Sequence, residues 1–321
     1  MRVKGLVLGL LVCFAWAAIG TAAEYPQRPI RMIIPWSAGG GSDVLARAFQ
    51  PALEKELGQR VLIENIPAGS TKVGTMELLK AKPDGYTLLF SNEAWITRYY
   101  AKTYDTKVWE QMTPVATVTS EPLAFIEVRA ESPFKTWGDL VKAAKANPGK
   151  LSAGNPGVGS PLDIVFKEIT ESAGIDVKLV PFSGGGPSKV AMLGGHVDFR
   201  LCQPPEAIAM VRAGKSRGLG LTADKRMKHF PDVPTFKELG LKGGDVYTII
   251  RGVWGPPKLP ANLVAALGRM IEKASKDPAF IKIAQDEFSY TVEYRNSDQV
   301  KTFLQKFDKE FGPILAEMHK K

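Results

Sequence analysis

The sequence predicts an α/β protein built from two domains. Short apolar segments of strand length alternate with segments whose apolar residues recur at helical spacing, as expected for strands joined by helices. With 321 residues, the chain is long enough to form two domains, each with its own hydrophobic core. A glycine-rich turn follows a predicted strand twice, once in each half of the chain. These observations favour two mainly parallel sheets, each flanked by helices.

Residues 1–23 have the pattern of a secretory signal peptide. Arg2 and Lys4 precede an uncharged, mainly apolar stretch that ends in small residues, among them Ala22 and Ala23. A transmembrane anchor is the alternative, because the uncharged stretch is just long enough to cross a bilayer. Its second half is rich in alanine and glycine rather than strongly apolar, which favours cleavage. We therefore expect a cleaved leader and an exported mature protein.

The first half of the chain predicts three strands and one long helix. Apolar residues recur every four positions from Leu45 to Leu57 and place one apolar face on a helix that should end at Gly58. Pro51 lies within this pattern and should kink or split the helix. The predicted strands cover residues 30–34, 61–63 and 86–90.

The second half repeats this alternation. Thr136 can cap a helix that stops before Pro148. Ser160 can cap another, with Pro161 at its first position, where a proline needs no N–H partner. The last third of the chain is mainly helical in this prediction. Further strands are predicted at residues 151–153, 177–181, 197–201 and 217–221, with helices that start near Pro187 and Pro205.

Composition and charge limit the classes of function. An apolar fraction of 45% is typical of a globular protein. The formal charge of +9, of which Arg2 and Lys4 contribute two, favours anionic partners through long-range attraction. The basic residues are spread along the chain, so nucleic-acid binding is not expected. Cys202 is the one cysteine outside the leader and the three histidines are far apart, so we expect no disulfide, no metal site and no cofactor.

The two glycine-rich turns are the main candidates for a binding site. The first N–H groups of a helix lack partners within the helix, and the helix dipole adds partial positive charge there. Glycine lets an anion approach these groups closely. In open α/β sheets, ligands bind outside the carboxyl ends of the strands, where both turns should lie. Two such turns facing across a cleft would bind a molecule with an anionic group at each end.

Most candidate ligand-binding residues lie in these turns. Asp43 is expected to cap its helix or order the turn rather than to contact an anion, and Ser160 can both cap a helix and bind ligand. The first turn supplies Trp36, Ser37, Ala38, Gly39, Gly40, Gly41, Ser42 and Asp43, and the second supplies Asn155, Gly157, Val158, Gly159 and Ser160.

Polar and aromatic residues near the strand ends add further candidates. Ser91 and Asn92 follow a predicted strand, where they either line the cleft or form a turn. Trp36 and Phe182 either wall the site or pack near the hinge between the domains.

Arg200 and Gln203 complete the candidate set. Arg200 lies within an otherwise apolar strand, where a charge needs a partner. It either binds a ligand carboxylate or forms an ion pair, for which Asp163 and Asp198 are the expected partners. Gln203 follows at the end of the same strand and is expected to face the cleft.

Motifs for nucleotide binding and catalysis are incomplete. The first turn is not followed by the lysine of a P-loop, and Leu162 stands where a dinucleotide fingerprint needs its third glycine. Val44 stands where the hydrolase nucleophile pattern needs a glycine. We therefore expect no catalytic residue. An exported enzyme that uses Asp43, Asp163 or Cys202 is the alternative, but the sequence shows no titratable pair for it.

Several motifs occur in the order found in one protein family. They are Tyr25-Pro26-x-Arg28-Pro29, Trp36-x-Ala38-Gly39-Gly40-x-x-Asp43, Pro83-Asp84-Gly85-Tyr86, Gly157-Val158-Gly159-Ser160, Gly194-Gly195-x-Val197-Asp198 and Pro231-Asp232-Val233-Pro234. Together they resemble the tripartite tricarboxylate transporter receptors, also called Bug-family extracytoplasmic solute-binding proteins. The likeness covers essentially the whole mature chain.

The resemblance implies a two-lobed periplasmic-binding-protein fold of type II that closes on a small organic acid. It implies that residues 24–123 and 252–321 form lobe 1 and residues 124–251 form lobe 2, with crossings near Leu123 and Tyr247. The implied partners are a large and a small integral membrane subunit of a transporter, and we expect a monomer. A ligand-sensing subunit of a sensor kinase is the alternative, because its binding chemistry would be the same.

Departures from the family pattern bear on the ligand. Relatives that bind amino acids tend to have an acidic residue at the position of Cys202, so this sequence disfavours an amino acid. Asp163 stands where the family often has histidine, and the first lobe reads Pro67-Ala68-Gly69 where the family usually has a glycine at the second of these positions. We therefore expect a di- or tricarboxylate or an aromatic acid.

Overall fold

The computed structural model describes residues 25–157, 159–223, 225–241 and 249–320. The predicted signal peptide and Val158 lie outside these residues, as does Tyr247, near which the chain was expected to return to lobe 1. Within the described ranges, no helix has the length and apolar character needed to span a bilayer.

Eleven strands and eleven α-helices alternate along the described chain. The strands are β1 (Ile30–Ile34), β2 (Val61–Asn65), β3 (Thr87–Asn92), β4 (Thr113–Glu121), β5 (Phe125–Arg129), β6 (Ser152–Asn155), β7 (Lys178–Pro181), β8 (Phe199–Cys202), β9 (Ser216–Leu221), β10 (Ile249–Gly255) and β11 (Thr291–Asn296). The helices are α1 (Gly41–Leu57), α2 (Lys72–Leu79), α3 (Ala94–Tyr100), α4 (Val108–Gln111), α5 (Trp137–Ala146), α6 (Pro161–Ala173), α7 (Gly185–Leu193), α8 (Pro204–Arg212), α9 (Ala261–Ser275), α10 (Pro278–Lys282) and α11 (Ser297–Met318), and a π-helical turn spans Ile283–Glu287.

The strands form two separate sheets, which confirms the predicted two-lobed fold. Lobe 1 has six strands in the order β11-β4-β10-β3-β1-β2, and lobe 2 has five in the order β7-β6-β8-β5-β9. Each sheet has its own buried core: α1 and α9 pack on the first sheet, and α5 and α6 pack on the second. The apolar face predicted for α1 is buried, including Leu45, Phe49 and Leu53.

Both sheets are mixed, whereas the sequence favours mainly parallel ones. β1 pairs in parallel with β2 and β3, but β10 is antiparallel to both β3 and β4. The reason is the route of the chain: β4 leads out of lobe 1 and β10 leads back into it, and the two lie side by side. In lobe 2, β5 is antiparallel to β8 and β9 for the same reason.

The chain crosses between the sheets twice. β4 ends at Glu121 and β5 begins at Phe125, so the first crossing is short. On the return, all of β10 from Ile249 to Gly255 pairs with β4, so the boundary predicted at residue 251 falls within a strand of the first sheet. The division of the chain into lobes by residue number otherwise stays a prediction.

Local signals correctly placed the ends of several helices. Gly58 adopts a left-handed conformation with φ of 63° after α1, and its N–H group donates to the Glu54 carbonyl. Thr136 caps α5 in a capping box, and the Ser160 hydroxyl accepts from the Leu162 N–H at the start of α6. α1 continues through Pro51 without the predicted split.

Candidate functional site

The first glycine-rich turn lies between β1 and α1, and Asp43 organises it. Asp43 Oδ2 accepts a hydrogen bond from the Gly39 N–H at 2.9 Å. Its Oδ1 accepts from Arg47 Nε at 2.9 Å and from Asn65 Nδ2 at 3.0 Å. The carboxylate is buried. Asp43 therefore orders the turn through its own contacts.

The second glycine-rich turn lies between β6 and α6, and its own side chains occupy two of its amides. The Gly157 N–H donates to Asn155 Oδ1 at 3.0 Å, and the Gly159 N–H donates to Asp163 Oδ2 at 2.7 Å. Asn155 Nδ2 also donates to Asp163 Oδ1. Burial raises the pKa of Asp163 to about 7, although the Gly159 N–H and Arg98 favour the charged form.

The second turn contacts α3 of lobe 1. Thr97 Oγ1 donates to the Gly159 carbonyl at 2.6 Å, and Arg98 Nη2 donates to the Pro156 carbonyl at 3.5 Å. A Cβ atom on Gly159, which has φ of +70°, would lie 2.7 Å from the Cβ atom of Ala101. Glycine is therefore needed there for close contact between the lobes.

A third glycine-rich turn faces the first one, and the sequence analysis missed it. Gly184, Gly185 and Gly186 follow β7 and open α7. A Cβ atom on Gly186 would collide with the carbonyl oxygen of Ala38 in lobe 1. The signal was present in the sequence, because this run follows a predicted strand and precedes a predicted helix, as the other two turns do.

A narrow cavity lies where α1, β3 and β10 of lobe 1 meet α7 and α8 of lobe 2. It contains about 260 Å³ of space between atoms, part of it open to solvent, and little of this space is wide enough for a water molecule. Six predicted site residues line it: Trp36, Gly40, Gly41, Ser42, Asn92 and Gln203. Four lining residues were not predicted: Pro156, Gly185, Glu206 and Arg251.

Arg251 supplies a buried positive charge to this cavity. It lies on β10, and its guanidinium forms an ion pair with Glu121 on the neighbouring strand β4. Its Nε donates to Ser42 Oγ at 3.1 Å. Burial lowers the pKa of Arg251, although Tyr290 and Glu93 favour its charged form. The sequence analysis missed Arg251, although an arginine among the apolar residues 249–255 is the same signal that singled out Arg200. Its neighbours on β4 and α1 depend on the tertiary structure.

Glu206 brings a carboxylate of lobe 2 to the N-terminus of α1. Its Oε1 accepts from the Gly41 N–H at 3.0 Å, and its Oε2 lies 3.4 Å from Arg200 Nη1. Burial raises the pKa of Glu206, against the opposing effects of Arg200 and the Gly41 N–H. One of the helix N–H groups expected to bind ligand thus binds a carboxylate of the chain itself.

The expected ion-pair partners of Arg200 were wrong. Arg200 Nη2 lies 2.6 Å from Glu127 Oε2, with both side chains fully buried, and Nη1 contacts Glu206. β5 is antiparallel to β8 with Glu127 directly opposite Arg200, so the pairing follows from strand register. Asp198 instead accepts from the Ser152 N–H at 2.8 Å, and Asp163 holds the second turn.

The remaining predicted residues surround the cavity without lining it. Ser91 Oγ accepts from Trp36 Nε1 at 2.9 Å and so supports the wall of the cavity. Ser37, Ala38 and Phe182 line a separate surface depression beside α7. The residues of the second turn, namely Asn155, Gly157, Gly159 and Ser160, lie in the contact between the lobes or at the start of α6.

Groups suited to catalysis or metal binding do not gather at this site in the part of the chain that the structure describes. No cluster of histidine, cysteine, aspartate and glutamate side chains there has the arrangement of a metal site. Burial raises the pKa of the Cys202 thiol well above its usual value, although Arg200 opposes this effect. Cys202 is therefore a poor nucleophile.

Two lobes joined by crossing strands, with a cavity lined by both, are the architecture of a periplasmic binding protein. Residues 45–319 match the family model described as "Tripartite tricarboxylate transporter family receptor". The chain belongs to this family, whose members are substrate-binding proteins of the periplasm rather than enzymes.

Relatives and solved structures agree with this assignment. A UPF0065 protein in the gbd 5' region of Cupriavidus necator is 32% identical, over 96% of this chain and 95% of its own. Protein BugT of Bordetella pertussis is 30% identical, over 97% and 96%. The periplasmic binding protein BugD has a TM-score of 0.82 at 26% identity, with 92% and 97% covered. MatC (Rpa3494) from Rhodopseudomonas palustris, solved with bound malate, has a TM-score of 0.80 at 26% identity, with 92% and 100% covered.

Proposed function

We propose that this protein is exported by its cleavable leader and captures a small carboxylate between its two lobes. It then delivers the carboxylate to a membrane transporter with one large and one small integral subunit, and it works as a monomer. Membership of the tripartite tricarboxylate transporter receptor family supports this proposal, as does a family neighbour that binds malate. The ligand classes that the sequence favours are di- and tricarboxylates and aromatic acids.

The observation that carries the proposal is the set of donors that converge on the cavity between the lobes. Arg251 brings a guanidinium group, Ser42 a hydroxyl and Gln203 a side-chain amide, next to the N-terminus of α1 at Gly40 and Gly41. A guanidinium group and a helix N-terminus both favour a carboxylate. Because the donors come from both lobes, a bound acid stabilises the arrangement in which the lobes are in contact.

The remaining predicted residues have supporting roles in this proposal. Asp43, Gly39 and Ser91 hold the first turn and Trp36 in position, and Arg200 holds Glu206. The described residues on either side of Val158 in the second turn hold the two lobes together through Thr97 and Arg98.

A panel of small acids tests the proposal. We expect at least one dicarboxylate, tricarboxylate, monocarboxylate or aromatic acid to raise the melting temperature and to bind in calorimetry, because a ligand that binds only the folded state stabilises it. The Gly41→Ala variant should bind the same acid at least about tenfold more weakly, since a Cβ atom there would lie 2.8 Å from Arg251 Nη2 and 3.0 Å from Gln203 Oε1.

The matched control is Gly138→Ala. Gly138 is exposed near the start of α5, where a Cβ atom would meet only an ordinary contact at 3.6 Å from Thr136 Oγ1. Both substitutions place alanine in the first turn of a helix, where alanine is a better helix former than glycine. The proposal fails if no acid binds the wild-type protein, and the placement of the site fails if Gly41→Ala binds as tightly as Gly138→Ala.

A further inference from the structure

Glu206 already holds a position that a ligand carboxylate was expected to take. It lies on α8 and is only 7% exposed. Its Oε1 atom accepts from the Gly41 N–H at 3.0 Å across the cleft, and a Cβ atom on Gly41 would lie 3.2 Å from the same oxygen. The carboxylate of Glu206 is therefore both buried and directed into the cavity at the N-terminus of α1.

Two arginines at the cavity, Arg251 and Arg200, already have carboxylate partners in the chain. Arg98 instead stacks on the Trp36 ring at 4.4 Å and donates to the Pro156 carbonyl. Among the described residues that line it, Arg251 is the one cation, and Arg251 pairs with Glu121. Arg200, behind Glu206, pairs with Glu127 at 2.6 Å. Lys189 is close enough to favour the charged form of Glu206 but lies beside the separate depression, outside the cavity.

A ligand carboxylate placed next to Glu206 would meet a like charge unless Glu206 took up a proton, which burial already favours by raising its pKa. Two carboxylates a few ångströms apart in a buried site repel each other strongly, because little water screens them. A hydrogen-bond donor in the same place would instead be attracted to the Glu206 carboxylate. Arg251, which also pairs with Glu121, lines the same cavity as Ser42 and Gln203, and the three can bind one ligand carboxylate. They lie close to Glu206, because a Cβ atom on Gly41 would be 2.8 Å from Arg251 Nη2 and 3.2 Å from Glu206 Oε1.

We propose that Glu206 makes the cavity select an acid with a single carboxylate that presents a hydrogen-bond donor, such as an amide, hydroxyl or ammonium group, to the Glu206 side chain. This inference rests on the proposed function: it keeps a small carboxylate as the ligand but replaces the di- and tricarboxylates that the sequence favours with acids that have a single carboxylate. The sequence disfavoured an amino acid because Cys202 stands where an acidic residue is expected. Glu206, in the first turn of α8 after the strand that ends at Cys202, supplies a carboxylate that can pair with such a donor.

Calorimetry with two matched ligand series tests the inference. The four-carbon series is succinate, its monoamide and 4-aminobutanoate, and the six-carbon series is adipate, its monoamide and 6-aminohexanoate. Within a series, only the group at one end changes from carboxylate to amide or ammonium. The proteins are the wild type, Glu206→Gln and the control Glu131→Gln, which removes the same charge from an exposed position of lobe 2.

The wild type and the control should bind the monoamide or the amine at least about tenfold more tightly than the diacid in the series that fits. In Glu206→Gln the diacid should gain at least about tenfold relative to the amine, because the repulsion is gone. The wild-type comparison stands by itself if the variant does not fold. A wild-type preference for the diacids, or an unchanged preference in a folded Glu206→Gln protein, would overturn the inference while the proposed function stands. Binding of none of the six compounds by the wild type would overturn the inference, and the proposed function would fall with it only if the wider panel of acids also failed to bind.

Discussion

Glu93 is a residue whose properties come from the meeting of distant parts of the chain. It directly precedes α3, is fully buried, and its Oε2 accepts from the Ile250 N–H of β10 at 3.0 Å. Burial raises the pKa of Glu93 to about 7, although the Ile250 N–H, Arg251 and Arg295 favour its charged form. The carboxyl group therefore holds a proton in the folded protein at pH values where the unfolded chain has released it.

Stability should fall between about pH 4.5 and 7 because of this residue. An acid whose pKa is raised on folding makes the folded state bind more protons than the unfolded state, so the free energy of unfolding decreases as pH rises across this interval. Glu93→Gln keeps an acceptor for the Ile250 N–H but does not titrate. Denaturant unfolding should give similar stabilities near pH 5, and a variant more stable than the wild type by about 2 kcal/mol near pH 8.

Asp163 titrates in the wild type and in Glu93→Gln alike, so the difference in stability between the two proteins reports the titration of Glu93. Parallel curves of stability against pH for the two proteins would show that Glu93 does not carry the raised pKa.

Arg200 shows how much of a site can be predicted from the sequence around a single residue. Its position in an apolar strand correctly indicated that the guanidinium needs a partner. The partner itself depended on which strand lies beside β8, and the antiparallel neighbour β5 places Glu127 opposite Arg200. Asp163 and Asp198 are closer to Arg200 in sequence than Glu127 is, but both carboxylates are held by other contacts.

At the level of elements, the start of α1 depends on Asp43. The sequence predicted that this carboxylate orders the turn, and the structure shows its contacts with Gly39, Arg47 and Asn65. α5 begins with a comparable cap at Thr136, which lies on an exposed part of lobe 2 and does not line the cavity. Substitutions at Asp43 and Thr136 can therefore distinguish what a capping residue contributes to stability from what it contributes to ligand binding.

Asp43→Ala should lower both stability and ligand affinity. We expect a loss of about 1–2 kcal/mol in the free energy of unfolding, and an affinity at least about threefold weaker because the turn at Gly40 loses its order. Thr136→Ala should cost about 1 kcal/mol of stability and leave affinity at the wild-type value. Denaturant unfolding and calorimetry measure both quantities, and wild-type affinity in a destabilised Asp43→Ala protein would contradict the role of this turn.

Strands at the sheet edges and next to the crossings between the lobes were the hardest elements to predict from the sequence. β11 spans Thr291–Asn296 in a region predicted to be mainly helical, and its side chains are exposed or only partly buried. Residues 291–295 alternate polar and apolar side chains, a strand signal that the sequence analysis did not use, and the segment pairs with the edge of β4. β10 was not predicted as a strand, and its antiparallel direction follows from the return of the chain to the first sheet.

At the scale of the whole molecule, contacts across the cleft join the two lobes. Thr97 Oγ1 donates to the Gly159 carbonyl at 2.6 Å, and the Gly41 N–H donates to Glu206 at 3.0 Å. Only two crossings of the chain connect the sheets in the described residues, so the lobes can move as units about them.

Small-angle scattering should report this motion. An acid identified by the binding panel should decrease the radius of gyration, because a ligand held by groups of both lobes favours the arrangement in which they are in contact. An acid of similar size that does not bind serves as the control. Identical scattering profiles with and without the bound acid would contradict closure of the lobes on the ligand.

The local sequence was enough to predict the fold class and the first glycine-rich turn. Apolar spacing, capping residues and glycine positions are properties of neighbouring residues, and they correctly predicted α1, most strands and six residues that line the cavity. Arg251 and Glu206 came only with the tertiary structure. Each is brought to α1 from more than 150 positions away in sequence, as the 165-residue separation of Gly41 and Glu206 illustrates, and only strand register and contact between the lobes place their charges there.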